Sequence, residues 1–305
     1  MYLFYVMDVK LIYTSANSKS KQLPNAIAFD LDETIGSFSD FYSIWIGLEP
    51  AMKTQPVFIE IMDLYPEFLR VGILSILRYI RKKQEIGRCL PIYIYTNNQC
   101  EDTSWIYQLI HYLELRACPE KTANLFARPI CAFKIKNKII EPNRTTNEKT
   151  YVDFVRCSML STSHELCFVD DNYHRKMKHP RVYYIQPPPY VHSLPFKEVI
   201  DRFLMSSVYK RLYPNADASL NNVSDSTCDK KEPLQRCASL SMPRQSFHRK
   251  NILGANEYAE EMKISHKIMY YIREFFLNST RGRATKKRRI NIGKFSRKRR
   301  HSPLG

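Results

Sequence analysis

Asp30 and Asp32 stand two residues apart in the segment Asp30-Leu31-Asp32-Glu33-Thr34, directly after the apolar run Ala26-Ile27-Ala28-Phe29. Such a run reads as a buried strand, and open α/β sheets bind ligands beyond the carboxyl ends of their strands. Two carboxylates in that position can share a metal ion and divide the work of nucleophile and proton donor. Two further runs end in a similar way. Ile92-Tyr93-Ile94-Tyr95 leads into Thr96-Asn97-Asn98, and Leu166-Cys167-Phe168-Val169 leads into Asp170-Asp171-Asn172, with Lys149 between them in the chain. Together these segments offer carboxylates, a hydroxyl, backbone N–H groups and an ammonium. Phosphoryl transfer needs those parts: a nucleophile, a proton donor for the leaving oxygen, a cation, and donors to the phosphoryl oxygens.

The elements that must position these groups alternate between strand and helix, which predicts an α/β fold with a mostly parallel, Rossmann-like sheet. Strands are expected at 26–29, 92–95, 166–169 and 182–185, and the role of residues 2–13 is open between strand and short helix. A polar connector covers 15–25. Residues 38–65 read as short helices broken by Pro50 and Pro56, a small insert. Leu69, Ile73, Ile76, Leu77 and Ile80 recur at helical spacing and predict a helix over 67–83. A helix with Glu101 and Asp102 in its first turn carries Trp105, Ile106, Leu109, Ile110 and Leu113. A hairpin is expected around Lys136-Asn137-Lys138, a helix over 149–159, and a closing helix over 195–212.

The ordered set of groups resembles the haloacid dehalogenase superfamily. That family's motifs are Asp-x-Asp-x-Thr after the first strand, a Thr or Ser after the second, a Lys, and an acidic pair after a later strand. The matching positions are Asp30 to Thr34, Thr96, Lys149 and Asp170-Asp171, within roughly residues 26–205. Asp-Leu-Asp-Glu-Thr is similar in particular to the carboxyl-terminal-domain phosphatases of RNA polymerase II, also called the NLI-interacting-factor-like family. The sequence departs from that family around Lys149, where Glu148-Lys149-Thr150 replaces Lys-Asp-Leu. It also departs at Asp170-Asp171-Asn172, where the small members have Asp-Asn-Ser-Pro. Lys134, Lys136 and Lys138 are therefore rival lysines.

The resemblance implies a Mg²⁺-dependent phosphatase. Asp30 would attack phosphorus and become an aspartyl phosphate, and Asp32 would protonate the leaving alkoxide and then activate water. Mg²⁺ would be held by the Asp30 side chain, the Asp32 backbone carbonyl, and Asp170 or Asp171. Thr34, Thr96, Asn97 and Lys149 would bind the phosphoryl group. The small insert fits a phosphoserine or phosphothreonine protein substrate, such as the polymerase tail, better than a metabolite. A nucleic-acid 3′-phosphatase and a non-catalytic phosphate- or nucleic-acid-binding protein are the alternatives. The Ile, Lys, Asn and Tyr usage is compatible with a large-DNA-virus member.

Composition sets the surroundings of this domain. The chain has 305 residues and a net charge of +17. Eleven Lys or Arg and no acid lie between Arg281 and His301, and removing them leaves +6 for the rest. The expected organisation is a phosphatase domain over 1–213 (with its insert at 38–65), a flexible Ser-, Asn-, Asp- and Pro-rich linker over 214–250, an amphipathic helix within 251–280, and a basic tail over 281–305. Tyr258, Met262, Ile268, Ile272, Phe275 and Phe276 mark the helix. Lys286-Lys287-Arg288-Arg289 and Arg297-Lys298-Arg299-Arg300 fit an import signal or nucleic-acid contacts, so a nuclear location is expected, with cytoplasm or a viral replication site as alternatives. The eight cysteines show no Cys-x-x-Cys pair, which argues against a zinc ribbon and predicts buried thiols in a reducing compartment. No leader and no membrane span are expected. His164, His174 and His179 read as surface or structural residues.

Overall fold

The computed structural model of this protein describes residues 8–13, 23–100, 105–120, 124–214 and 255–278. Glu101 and Asp102, the expected linker beyond Pro214 and the basic tail, with both its clusters, lie outside the described residues. The strands are β1 (Lys10–Tyr13), β2 (Ala26–Phe29), β3 (Tyr93–Ile94), β4 (Lys134–Ile135), β5 (Lys138–Ile139), β6 (Leu166–Val169) and β7 (Val182–Gln186). The helices are α1 (Ser39–Gly47), α2 (Gln55–Leu64), α3 (Ile73–Glu85), α4 (Trp105–Ala117), α5 (Tyr151–Ser158), α6 (Phe196–Met205), α7 (Ser207–Leu212) and α8 (Ala255–Asn278).

One sheet runs in the order β1-β7-β6-β2-β3. Its four inner and far strands are parallel, and β1 pairs antiparallel on the β7 edge. Tyr95 adds a parallel bridge to Ile130 beyond β3. The fold is thus α/β with a mostly parallel sheet. The period-two alternation of strand side chains splits the core cleanly. Ile27, Phe29, Cys167, Val169, Tyr183 and Ile185 face the large cluster built with α1 to α4, α6 and α8. Ala26, Ala28, Leu166, Phe168, Val182 and Tyr184 face a smaller cluster with Tyr95, Tyr151 and Phe154 of the α5 region. Both faces are covered, so these strands are apolar throughout, as parallel strands must be.

Several boundaries differ from the sequence expectation. Helix α3 begins at Ile73 rather than at residue 67, because Pro66–Phe68 form a short 3-10 turn and Leu69 bridges back to Gly36. Gly72, at φ 80, makes the turn into the helix, a conformation that a residue without Cβ adopts at little cost. The closing helix is two helices, broken where the Ser206 hydroxyl caps α7 by accepting from the Tyr209 N–H. The hairpin stands as expected, with Lys136 and Asn137 at positive φ, the requirement of a two-residue type I′ turn. Cys100 and Cys131 are joined in a disulfide, with Cα atoms 5.7 Å apart, in place of the expected free thiols. Cys89, Cys118, Cys157 and Cys167 are free.

Helix α8 packs one face on the main core. Ile268, Ile272, Phe275 and Phe276 are buried, whereas Tyr258 is exposed. Phe275 meets Tyr183 of β7, and Phe276 meets Tyr79 of α3. No helix among the described residues is long and apolar enough to cross a membrane. Since Ile272 is fully buried in the main core, Ile272→Ala should destabilise the protein by about 2–5 kcal/mol, read as a lower urea midpoint at unchanged m-value. An unshifted midpoint would show that α8 is not part of the folded core.

Candidate active site

The sheet fixes the site before any side chain is considered. β2 connects onward to β3 on one side, and β6 to β7 on the other, so the switch point lies between β2 and β6. Phe29 pairs with Val169 in parallel register, and the Asp30 N–H donates to the Val169 carbonyl at 2.8 Å. The next residue of each strand is an aspartate. Asp30 and Asp170 therefore stand abreast, and pleat parity turns them toward the α5 face. Lys149 sits two residues before that helix, whose N-cap Thr150 accepts from the Asp153 N–H. Its ammonium lies 2.5 Å from Asp30 Oδ1 and 2.7 Å from Asp170 Oδ2. Lys134, Lys136 and Lys138 belong to the exposed hairpin, so Lys149 is the lysine at the site.

Asp171 completes the acidic group. Oxygens of Asp30, Asp170 and Asp171 lie within 4.8 Å of one another. Thr34 binds Asp171 twice: its hydroxyl donates to Oδ1 and accepts from the Asp171 N–H, both at 2.9 Å. The expectation that the Thr34 hydroxyl holds phosphate is corrected accordingly, because both of its roles are used in orienting Asp171. Asn97 is also redirected. Its Oδ1 accepts from Arg144 at 2.9 Å, while the neighbouring Asn98 donates its side-chain amide to Asp32 Oδ2. Thr96 Oγ1 accepts from the Asn98 N–H at 3.1 Å, and its own O–H has no acceptor among the described residues, leaving a donor for a ligand oxygen.

The electrostatics follow from burial. Burial pushes Asp30 up to about 7, against the pull of Lys149 and with the help of Asp170. Burial likewise raises Asp171 to about 6, opposed by the Thr34 hydrogen bond. Asp170 is pushed up by burial, but His174 and Lys149 override this and hold it below the ordinary carboxyl value. Burial raises Asp32, with Asn98 opposing. Asp32 thus leans toward the protonated form that a proton donor needs.

Four residues to which the sequence analysis gave no role at the site also shape it. His174 lies 3.3 Å from Asp170 Oδ2, so of its two expected readings, surface or structural, it takes a structural place beside the acidic group. Arg70 is buried and donates to the carbonyls of Thr34, Glu33 and Pro188 at 2.7, 2.7 and 2.8 Å. It holds Glu33 at φ 58, a left-handed conformation that costs a non-glycine residue about 1–3 kcal/mol. Gly36 lets the same loop close: a Cβ there would lie 2.3 Å from the Phe68 carbonyl oxygen. Arg144, also buried, donates to the carbonyls of Thr96 and Cys131 at 3.0 and 2.6 Å. No local periodicity marks either arginine. The other histidines lie apart, His164 bonded within its own turn and His179 stacked on Tyr151.

No protein-family model matches this chain, and no curated protein or solved structure matches it. The class of site is therefore defined by its own atoms: a buried aspartate triad able to hold a metal ion, with a lysine between two of its members. The donors are all carboxylate oxygens, with no cysteine among them, a set that suits a hard divalent cation. Fully ionised, three carboxylates and one ammonium leave a charge of −2, which one divalent cation cancels.

The raised values give a pH test. Protonated Asp30 and Asp171 favour the cation-free fold at low pH, and that contribution is lost as pH rises through about 6 to 7. A cation binds the deprotonated triad. Magnesium should therefore raise the melting temperature more at pH 8 than at pH 5, with about 1.4 kcal/mol of added stability at ten times its Kd. Asp170→Asn should remove the effect in a thermal melt, and an equal shift at both pH values would rule out this triad as the site.

Proposed function

We propose that this protein is a Mg²⁺-dependent phosphatase that works through an aspartyl phosphate on Asp30. The observation that carries the reading is the contact of Lys149 with both Asp30 and Asp170, at 2.5 and 2.7 Å, beside Asp171. One carboxylate, one ammonium and two further acids converge where a phosphoryl group needs a nucleophile, a positive partner and a cation. The resemblance to the haloacid dehalogenase superfamily points the same way, as does the placement of its motif positions at neighbouring strand ends.

The residues divide the reaction as follows. Asp30 attacks phosphorus in line, forming an O–P bond as the bond to the leaving oxygen breaks. Asp32, raised by burial, gives its proton to that oxygen. It then takes a proton from water, which attacks the aspartyl phosphate and returns free phosphate and Asp30. Asn98 orients Asp32, and Thr34 orients Asp171. Lys149 and the Thr96 hydroxyl bind phosphoryl oxygens. Magnesium, when bound by Asp30, Asp170 and Asp171, neutralises charge that develops on the transferred group.

Two chain-borne esters fit a site whose insert, α1 and α2, is small. A phosphoserine or phosphothreonine in a protein such as the polymerase tail is the reading drawn from the resemblance. A phosphate at a nucleic-acid end is favoured by the exposed Tyr173, Arg175 and Lys178 of the loop after β6. The mechanism is common to both and is tested with a generic aryl phosphate in magnesium. Asp30→Asn should reduce turnover to background and Asp32→Asn by at least about 100-fold, the scale of a lost general acid. Turnover persisting in Asp30→Asn at the wild-type rate would eliminate the aspartyl-phosphate route.

A further inference from the structure

We propose that the loop after β6 forms a rim that reads a single-stranded polynucleotide, so that the ester offered to the site is a terminal phosphate of a nucleic-acid strand; this rests on the phosphatase reading above. The loop runs from the metal-ligating pair Asp170-Asp171 through Asn172, Tyr173, His174, Arg175, Lys176, Met177 and Lys178. Two contacts hold it against the site. His174 lies 3.3 Å from Asp170, and Tyr173 packs on Tyr184, a buried ring whose pKa is raised by burial and by the nearby charge of Asp170, Asp30 and Asp171. Lys176 lies 2.9 Å from Glu148, whose own neighbour is Lys149.

The chemistry of the rim is cationic and aromatic. Residues 175–177 form a 3-10 turn with Met177 buried inward. Arg175, in the turn, and Lys178, just past its end, are both exposed. Glu148 neutralises Lys176, but neither Arg175 nor Lys178 makes an ion pair with a described residue. Beside them Tyr173 is 50% exposed. Its ring lies at 18° to that of the buried Tyr184, with centroids 6.1 Å apart, so it is backed on one side and partly open to solvent.

Unpaired cations beside an open aromatic ring suit a strand that carries a phosphate and a base in every unit. A phosphorylated protein segment can match the two cations with a carboxylate or a second phosphate, but it does not repeat a phosphate and a ring in every unit. It gives the ring no regular partner. The chain's charge of +17 acts in the same sense by attracting polyanions.

The test uses the full chain, without divalent cation, and a short fluorescent oligodeoxynucleotide with a 3′ phosphate, a 5′ phosphate or neither. Binding is followed by anisotropy across a salt series. Tyr173→Ala should weaken binding roughly ten-fold, as loss of one base stack does, and Tyr173→Phe should keep wild-type affinity. The double variant Arg175→Ala, Lys178→Ala should lower the slope of log K against log salt by about 1.4, from about 0.7 per lost phosphate contact. In magnesium, the wild type should release phosphate from one of the two terminally phosphorylated strands with a higher kcat/KM than from a doubly phosphorylated peptide. Variants that bind as wild type does would overturn the rim, since other cations would then do all the binding. A higher wild-type kcat/KM in magnesium on a doubly phosphorylated peptide than on either phosphorylated strand would overturn it in favour of a protein ester. If the wild type hydrolyses no ester, an aryl phosphate included, the phosphatase reading fails, and the binding series still decides whether the rim holds a strand.

Discussion

The register between β2 and β6 is the constraint on which the site depends. Pairing Phe29 with Val169 puts Asp30 and Asp170 side by side where solvent is nearly excluded. Two unit charges about 4 Å apart repel by on the order of 4 kcal/mol at an effective dielectric near 20. A slip of one residue would relieve the repulsion by turning one carboxylate to the other face, and it would also dissolve the site. The chain instead keeps the register and supplies compensation. Lys149 stands between the two carboxylates, Thr34 fixes Asp171, and a cation can cancel what remains. The cost of bringing the acids together is what makes the hollow able to hold a positive ion.

Two buried arginines hold the loops that this arrangement requires. Arg70 ties Glu33 and Thr34 to Pro188, and Arg144 ties Thr96 and Asn97 to Cys131. Their partners are mostly backbone carbonyls, which irregular segments leave without ladder partners. A guanidinium presents five donors in a fixed plane and stays charged when buried, so one side chain can gather three or four carbonyls from distant parts of the chain. The disulfide from Cys100 to Cys131 works on the same pair of loops as Arg144. The carboxyl end of β3, short as that strand is, is therefore fixed by contacts across it.

Much of the site was legible because its signals are local. Apolar runs at 26–29 and 166–169 end abruptly in aspartates, and a buried parallel strand cannot continue through a carboxylate. Lys149 was legible only through its place in an ordered set of motifs; its distances to Asp30 and Asp170 decide it over Lys134, Lys136 and Lys138. Arg70, Arg144, His174 and Asn98 were not legible as site residues. Each acts through partners supplied by another segment, and no spacing rule ties Arg70 to Pro188 or Asn98 to Asp32. The start of α3 was misplaced for the same reason. The apolar period continues through Leu69, but that residue belongs to a bridge with Gly36, and tertiary pairing outweighs periodicity there. Asn97 was chosen over Asn98 because both follow the strand, and only the turn of the backbone decides which side chain faces Asp32.

Helix α8 shows how a distant segment can bear on the same chemistry. Its apolar face covers α3 and β7, and its polar residues reach the loop region from outside. Glu261 lies 3.5 Å from Arg70, and the Ser265 hydroxyl donates to the Val71 carbonyl. The Glu261 carboxylate helps keep Arg70 charged against its burial, and Arg70 in turn holds Glu33 and Thr34, which orients Asp171. A chain of contacts thus joins residue 261 to Asp171 of the acidic triad through a single buried guanidinium. The helix closes the core on one side and stabilises the charge that shapes the loop after β2 on the other, so a segment far along the chain contributes to the geometry of the site as well as to the stability of the fold.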